Sequence, residues 1–299
     1  MNASVHLLHK ALRSTVHLRA EVPSGHASAA ILGTERMGAG TVLSPSGLVL
    51  TAHYLVIGAR SVEASLPDGE PIPGRVVGID YSAGLAAIDL GTAKLPGLRV
   101  RQTEADVVGE EAFLVASLDG GRRVSSGVVT SYAPFEAFWE YMVDHALTCS
   151  AASPGLGGGP LVDARGAMMG VVSLSLAEVG KFTLAVPACM AVPMLASIEK
   201  SGSYDTANPH AWIGVTCYPV GGNVILAAVL PESPAEAAGL SSGDVVVSID
   251  GAGTVDRRTL YKGIWKQPPG STLRLEVRRG DEVLEIPVVS SSIEKFFEG

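Results

Sequence analysis

Short apolar segments alternate with turn signals along the chain from about residue 14 to residue 190. They are STVHLRAEV (14–22), GTVLSPSGLVLTA (40–52), SVEASL (61–66), RVVGID (75–80), AFLVAS (112–117), GVVTSY (127–132), PLVDARGAMMGVVSLSL (160–176) and KFTLAVP (181–187). Evenly spaced strands separated by such turns are typical of a β sandwich or β barrel. An amphipathic stretch from Met190 to Lys200, followed by Ser201 and Gly202, predicts a helix that closes this half of the chain.

The second half begins after residues 201–211, which are small, polar and without periodicity, as expected of a linker. An apolar strand pattern follows over residues 212–230, and a short helix is predicted to begin at Pro234. Residues 257–266 have helical spacing, and residues 271–289 predict a hairpin that turns at Arg279-Gly280-Asp281. These elements indicate a small α+β module.

Composition narrows the class of protein further. A length of 299 residues is enough for two domains with separate cores. Of these residues, 47% are hydrophobic and 17% are charged. A net charge of −8 disfavours nucleic acid as a partner, and no apolar run is long enough for a membrane span. Three scattered cysteines predict neither a disulfide framework nor a metal site, and no cofactor is expected.

The first twenty residues give an expectation about location. Charged residues and histidines interrupt every apolar run there, so no secretory signal is predicted. If Met1 is the natural start, we expect a cytoplasmic protein. If the chain has been trimmed, a periplasmic location remains open.

Several phrases in one order resemble the HtrA/DegP family of trypsin-like serine proteases. They are GAGTVLSPSGLVLTA, VVGID, GVVTS, PGLGGGPLVDARGAMMGV and FTLAVP, followed by WIGV and SPAEAAGLSSGDVVVSIDG, which resemble the family's PDZ domain. The resemblance implies a mainly β protein, in which a chymotrypsin/trypsin-like double β-barrel precedes a small α+β PDZ domain. We place the protease-fold domain at 1–200, the linker at 201–211, the PDZ domain at 212–291 and a tail at 292–299.

The same resemblance places the catalytic triad at three positions that have lost their chemistry. The histidine position holds Tyr54, the aspartate position holds Gly84 and the serine position holds Gly157. A tyrosine is a poor base at neutral pH, and a glycine has no side chain to acylate. We therefore expect a catalytically inactive pseudoprotease with no catalytic residues, in which the backbone N–H groups of Gly155 and Gly157 remain as a residual oxyanion hole.

Two alternatives remain open. An active endopeptidase would need His53 as a base, with Ser150, Ser153 or Cys149 as a displaced nucleophile. A regulatory subunit would assemble with an active relative, because HtrA-type barrels commonly form trimers. The oligomeric state, homo-oligomer or hetero-oligomer, is left open.

The PDZ resemblance implies a groove for peptides or protein C-termini. Its carboxylate loop would be Trp212, Ile213, Gly214 and Val215. PDZ domains add a peptide to a sheet edge and bind its carboxylate with backbone N–H groups. Leu260 and Ile264 are expected to line the opposite wall. The alternative is that WIGV is only the first core strand of the module.

Overall fold

The computed structural model describes residues 3–66, 70–91, 95–103, 105–118, 121–153, 157–175, 182–206 and 209–298. The chain packs into two compact units. The first comprises Met1–Ala133 and Asp144–Thr206, and the second comprises Pro134–Val143 and Ala207–Gly299. A short segment from the middle of the chain therefore belongs, by its contacts, with the C-terminal unit.

The first unit starts with helix α1 (Ala3–Ser14) and a closed antiparallel barrel. The barrel strands are β1 (Thr15–Glu21), β2 (Glu35–Val42), β3 (Leu48–Ala52), β4 (Ser61–Ser65), β5 (Ile72–Asp80) and β6 (Leu85–Asp89), with helix α2 (Ala27–Leu32) between β1 and β2. They are ordered β1-β2-β3-β6-β5-β4, and β1 pairs with β4 to close the barrel. The period-two pattern explains the packing: in β4, Val62 and Ala64 are buried, whereas Ser61 and Glu63 are exposed.

A second closed antiparallel barrel completes this unit. Its strands are β7 (Glu111–Leu118), β8 (Gly121–Glu136), β9 (Met142–Cys149), β10 (Pro160–Asp163), β11 (Met168–Ser175) and β12 (Thr183–Pro187), ordered β10-β11-β12-β9-β8-β7. Helix α3 (Val192–Ser201) follows and ends at Gly202, whose φ of 81° is the left-handed conformation that glycine adopts at helix ends. The helix lies where its amphipathic pattern predicted it. The double β-barrel expected from the resemblance is thus present.

The second unit is a sheet with three helices. Its elements are β13 (Val215–Val220), β14 (Asn223–Val229), α4 (Pro234–Ala237), β15 (Val245–Ile249), β16 (Ala252–Gly253), α5 (Arg257–Trp265), β17 (Thr272–Arg279), β18 (Glu282–Val289) and α6 (Ile293–Glu298). The strand order is β13-β14-β15-β17-β18, and β16 pairs with β15. Asp256 caps α5 through a hydrogen bond from the Thr259 N–H, which fixes where the helix begins.

Two details differ from the sequence interpretation. Residues assigned to a tail contain α6, and the Phe296 ring packs against Trp212 with 4.6 Å between centroids. Ala211, at the end of the assigned linker, is fully buried in the core of the second unit. In the described part of the chain, no helix combines the length and the apolar character needed to cross a bilayer.

Candidate functional site

The three positions that the resemblance assigns to a catalytic triad lie near one another in the first unit. Tyr54 is in a 3-10 turn (His53–Leu55) directly after β3, and Gly84 directly precedes β6. Strands β3 and β6 are paired, with Ala52 opposite Leu85, so the two positions are neighbours. Gly157 lies just before β10, and its backbone approaches the Tyr54 phenol.

Tyr54 occupies the space that a side chain at position 157 would need. A Cβ built on Gly157 would overlap the Tyr54 hydroxyl, and the Ser173 carbonyl lies 3.0 Å from the same point. The hydroxyl donates a 2.9 Å hydrogen bond to that carbonyl. Burial raises the pKa of Tyr54 to about 12, so the phenol stays protonated at neutral pH. It therefore acts as a hydrogen-bond donor and not as a base.

His53, the alternative base, faces the aspartate position. Its backbone N–H donates to the backbone carbonyl of Gly84 at 3.1 Å. Burial lowers the pKa of His53 to about 4. The imidazole is thus neutral at neutral pH, and it is a weak base for activating a nucleophile.

Two of the three alternative nucleophiles, Cys149 and Ser150, are poorly placed for attack. Cys149 is fully buried in the core of the second barrel, and burial raises the pKa of its thiol, so little reactive thiolate forms. The Ser150 hydroxyl accepts a 3.0 Å hydrogen bond from the Val128 N–H. Ser153 is half-buried, directly before residues 154–156, which lie outside the described residues.

Packing fixes the described part of the loop that carries Gly157. The Gly157 carbonyl accepts a hydrogen bond from the Ala39 N–H at 2.8 Å, and the Gly158 N–H donates to the Val172 carbonyl at 2.7 Å. Gly158 has a φ of 90°, which favours glycine. Of the two predicted oxyanion-hole residues, Gly157 is described and Gly155 is not. The residual oxyanion hole stays a prediction.

A buried arginine holds the turn that carries Tyr54. Arg36 is 5% exposed, and its guanidinium donates to the carbonyls of Tyr54 and Ile57, both at 2.9 Å. It also donates to the carbonyl and the hydroxyl of Ser28, at 3.1 and 2.6 Å, and to the Gly33 carbonyl at 3.2 Å. Burial lowers the pKa of Arg36 to about 10, so the side chain remains a cation at neutral pH.

In the second unit, the predicted carboxylate loop binds a carboxylate of the chain itself. The N–H groups of Ile213, Gly214 and Val215 donate to the Glu140 side chain at 3.1, 2.6 and 3.0 Å. Gly214 has a φ of 86°, which turns the loop so that its N–H groups converge. Trp212 is buried, and its backbone pairs with Ser291. WIGV leads into β13, which begins at Val215, and Ile213 and Val215 are also buried in the core of the second unit.

The other predicted groove residues lie on α5. Leu260 and Ile264 are fully buried in the core cluster of the second unit, and their role in lining a groove stays a prediction. Among the contacts from α5 to residues 136–140, the Tyr261 hydroxyl donates to the Ala137 carbonyl at 3.0 Å, and Arg257 donates to the Glu136 carbonyl at 2.9 Å.

Sequence reasoning missed Glu140 and Tyr261 as site residues. One signal was available: the segment FEAFWEY (135–141) contains four aromatic residues in a chain with 5% aromatic residues overall. Among the residues that the structure describes, no group of three or more His, Cys, Asp or Glu side chains could hold a metal ion.

Comparison with known proteins identifies the two domains. Residues 38–171 match the trypsin-like peptidase domain, and residues 211–289 match the PDZ domain. A probable periplasmic serine endoprotease, DegP-like, from Chlamydia trachomatis is 27% identical over 272 residues, which cover 86% of this chain and 54% of the relative. The putative serine protease HhoA from Synechocystis is 28% identical over 283 residues, which cover 86% of this chain and 71% of HhoA. The chain spans about half the length of the DegP-like relatives.

Solved structures share the fold. The HtrA-type protease AlgW with a decapeptide is 20% identical, with a TM-score of 0.59 and coverage of 97% of this chain and 98% of that chain. The serine endoprotease from Yersinia pestis is 18% identical, with a TM-score of 0.59 and coverage of 98% and 99%. At this level of identity the likeness concerns the fold alone.

Replacing Arg36 tests how the Tyr54 turn is held. Arg36→Met keeps much of the side-chain volume but leaves several buried carbonyls without donors. We expect a loss of about 2–4 kcal/mol in the free energy of unfolding, measured by urea denaturation. Arg19→Met, at an exposed ion pair with Glu35, serves as the matched control and should change the stability little. Equal effects of the two substitutions would contradict the role given to Arg36.

A double-mutant cycle tests the packing of Tyr54 against Gly157. We expect Gly157→Ala to destabilise the protein by about 1–3 kcal/mol, because the added methyl group overlaps the Tyr54 hydroxyl. Tyr54→Phe removes that hydroxyl and should cost about 1 kcal/mol through the lost hydrogen bond to Ser173. The double variant should be less destabilised than the sum of the singles. Additive free energies from chemical denaturation would show that the two positions are not in contact.

Proposed function

Because this chain is an HtrA/DegP homologue with a trypsin-like peptidase domain and a PDZ domain, we propose that it is a pseudoprotease that binds peptides or protein C-termini. The observation that carries the proposal is the Tyr54 hydroxyl, which fills the place of a side chain at Gly157. The site then has neither a nucleophile nor a base where the family's chemistry needs them. In such a protein the peptidase fold is a scaffold, and the PDZ domain supplies the binding.

The electrostatics of the site support the loss of turnover. Tyr54 holds its proton, and His53 has little affinity for one, so neither can pass a proton from a nucleophile to a leaving group. Removing the triad of a serine protease lowers turnover by about 10⁶-fold. A remaining oxyanion hole would accelerate peptide hydrolysis by at most about 10³–10⁴-fold over the uncatalysed reaction in water.

The relatives' names favour the alternative of an active serine endopeptidase. That alternative needs a displaced nucleophile, and the geometry argues against two of the three candidates. Cys149 is buried with a raised pKa, and Ser150 is engaged with β8. An active enzyme would have to rebuild the Gly157 loop, whose described part is held by backbone hydrogen bonds.

Binding by the PDZ domain is supported by the carboxylate loop. Three backbone N–H groups converge on one carboxylate, which is how PDZ domains bind a peptide terminus. AlgW is described in complex with a decapeptide and with a tripeptide. By this analogy the groove of the present chain takes peptides, and its occupant in the structure is a glutamate side chain.

The compartment and the assembly are further parts of the proposal. The cytoplasmic expectation has no support from the comparisons, whereas DegP-like relatives are named as periplasmic, and we favour that compartment. Assembly with a second copy or with an active relative stays a prediction.

Degradation of fluorescently labelled casein tests the loss of turnover. We expect no cleavage over a day at high protein concentration, and no covalent adduct with a fluorophosphonate probe by mass spectrometry, because no activated serine is present. A variant with Cys149, Ser150 and Ser153 all replaced by alanine controls for a contaminating protease. Cleavage by the natural chain and not by this variant would overturn the proposal.

Peptide binding is tested with a phage library that displays random heptapeptides at a free C-terminus. Selected peptides should bind the full chain. C-terminal amidation should lower their affinity about tenfold or more, because a charge-assisted hydrogen bond is lost. Gly214→Val should abolish binding, since a Cβ there overlaps Ser233 in a left-handed conformation. Equal binding of amidated and free peptides would contradict the carboxylate-loop assignment.

A further inference from the structure

We propose that the segment from Glu136 to Tyr141 is an internal ligand of the PDZ groove, in which the Glu140 side chain replaces the terminal carboxylate of a peptide. External peptides then bind only when this segment leaves. The proposal rests on the peptide-binding function proposed above and adds how that site is regulated.

The backbone of the segment adds a strand to the sheet edge. The Cys217 N–H donates to the Phe138 carbonyl at 2.7 Å, and Trp139 forms an antiparallel bridge with Thr216. Both partners lie on β13, directly after the carboxylate loop. Addition of an extended segment to a sheet edge is the way in which PDZ domains bind peptides. The segment runs towards the loop, which is the direction a peptide needs to bring its C-terminus there.

The end of this added strand brings a carboxylate into the loop. Glu140 is 4% exposed, and its two oxygens accept hydrogen bonds from the three N–H groups of residues 213–215. A peptide terminus offers the same two oxygens on one carbon. The glutamate side chain therefore supplies the group that the loop binds, without a chain end.

The helix on the other side of the groove also holds the segment. Tyr261 donates its hydroxyl to the Ala137 carbonyl, and Arg257 donates to the Glu136 carbonyl. Arg258 forms a 2.6 Å ion pair with the Glu136 side chain. Contacts with β13, with the loop and with α5 all fall within six consecutive residues, as expected of one bound peptide. An isolated structural glutamate would need only the loop.

Loss of the Glu140 proton makes this ligand releasable. Burial raises the pKa of Glu140 to about 7, although three backbone N–H groups act in the opposite direction. Cys217 and Tyr261 interact with it, and burial raises the pKa of both, so they stay neutral at neutral pH. Arg257, the nearby cation, is engaged with the Glu136 carbonyl. Because the pKa is higher in the docked state than in water, docking is favoured below about pH 4.5 and weakens as the pH rises through about 7.

Amide hydrogen exchange of the ligand-free full chain tests the docking directly. We expect the amides of Ile213, Gly214, Val215 and Cys217 to exchange slowly in the natural protein and at least about tenfold faster in Glu140→Ala, because a charge-assisted acceptor is lost. Glu282→Ala removes an exposed carboxylate from β18 of the same unit and is the matched control. Equal exchange in the natural protein and Glu140→Ala would overturn the proposal.

Competition with an external peptide tests the regulation. The probe is the fluorescein-labelled heptapeptide PFEAFWE, residues 134–140 with a free carboxylate. We expect Glu140→Ala to bind it at least about tenfold more tightly than the natural chain or Glu282→Ala. The advantage of Glu140→Ala should be larger at about pH 6 than at about pH 8, because the internal ligand docks more strongly at lower pH. Equal affinities would contradict the internal ligand and leave the proposed peptide binding intact.

A disulfide between the segment and β13 tests the same docking without replacing Glu140, in case Glu140→Ala does not fold. Trp139 and Thr216 are paired across the added strand, so cysteines at both positions lie within reach of a disulfide. The oxidised variant Trp139→Cys/Thr216→Cys should keep the loop amides protected and lose binding of the heptapeptide, and a reductant should restore it. Undiminished binding by the locked protein would overturn the proposal. If no variant binds the heptapeptide while the amides respond as expected, the docked segment stands and the proposed peptide binding fails.

Discussion

Buried backbone groups without hydrogen-bond partners cost about 1–3 kcal/mol each, and this constraint acts at both candidate sites. In the first unit, Arg36 donates to carbonyls that no strand pairs, and Tyr54 donates to the Ser173 carbonyl. In the second unit, three adjacent N–H groups point to one place, where Glu140 accepts all of them. In each case a single side chain completes the hydrogen bonding of an irregular segment.

The constraint gives the proposed loss of catalysis a structural cause as well as a chemical one. A serine side chain at position 157 and the Tyr54 phenol would occupy the same space, so the glycine and the tyrosine depend on each other. The phenol also donates a hydrogen bond to the Ser173 carbonyl, at the irregular step in the pairing of β11 with β12. Restoring a serine alone would therefore introduce an overlap.

Much of the fold could be predicted from local signals, whereas the partners of the sites could not. Period-two patterns and turn residues located the barrel strands, and the turn at Arg279-Gly280-Asp281 lies between β17 and β18 as expected. The motif spacing also led to Tyr54 and Gly157. It did not indicate that the tyrosine hydroxyl reaches the glycine, because that contact depends on how two distant loops pack. Glu140 was missed for the same reason: it is more than seventy residues from the loop that it completes.

The tethering of the Glu140 segment determines what an external peptide must overcome. A ligand joined to its own site by a short chain has an effective concentration of about the millimolar range. The apparent affinity for an external peptide falls by the fraction of molecules whose groove is open. When the effective concentration is well above the intrinsic dissociation constant of the segment, each further tenfold increase in their ratio thus lowers the apparent affinity for an external peptide tenfold. The desolvation that raises the pKa of Glu140 reduces this excess, since it weakens the internal ligand at neutral pH. A groove with three converging N–H groups can therefore remain selective: peptides that bring additional contacts displace the segment, and weak ones do not.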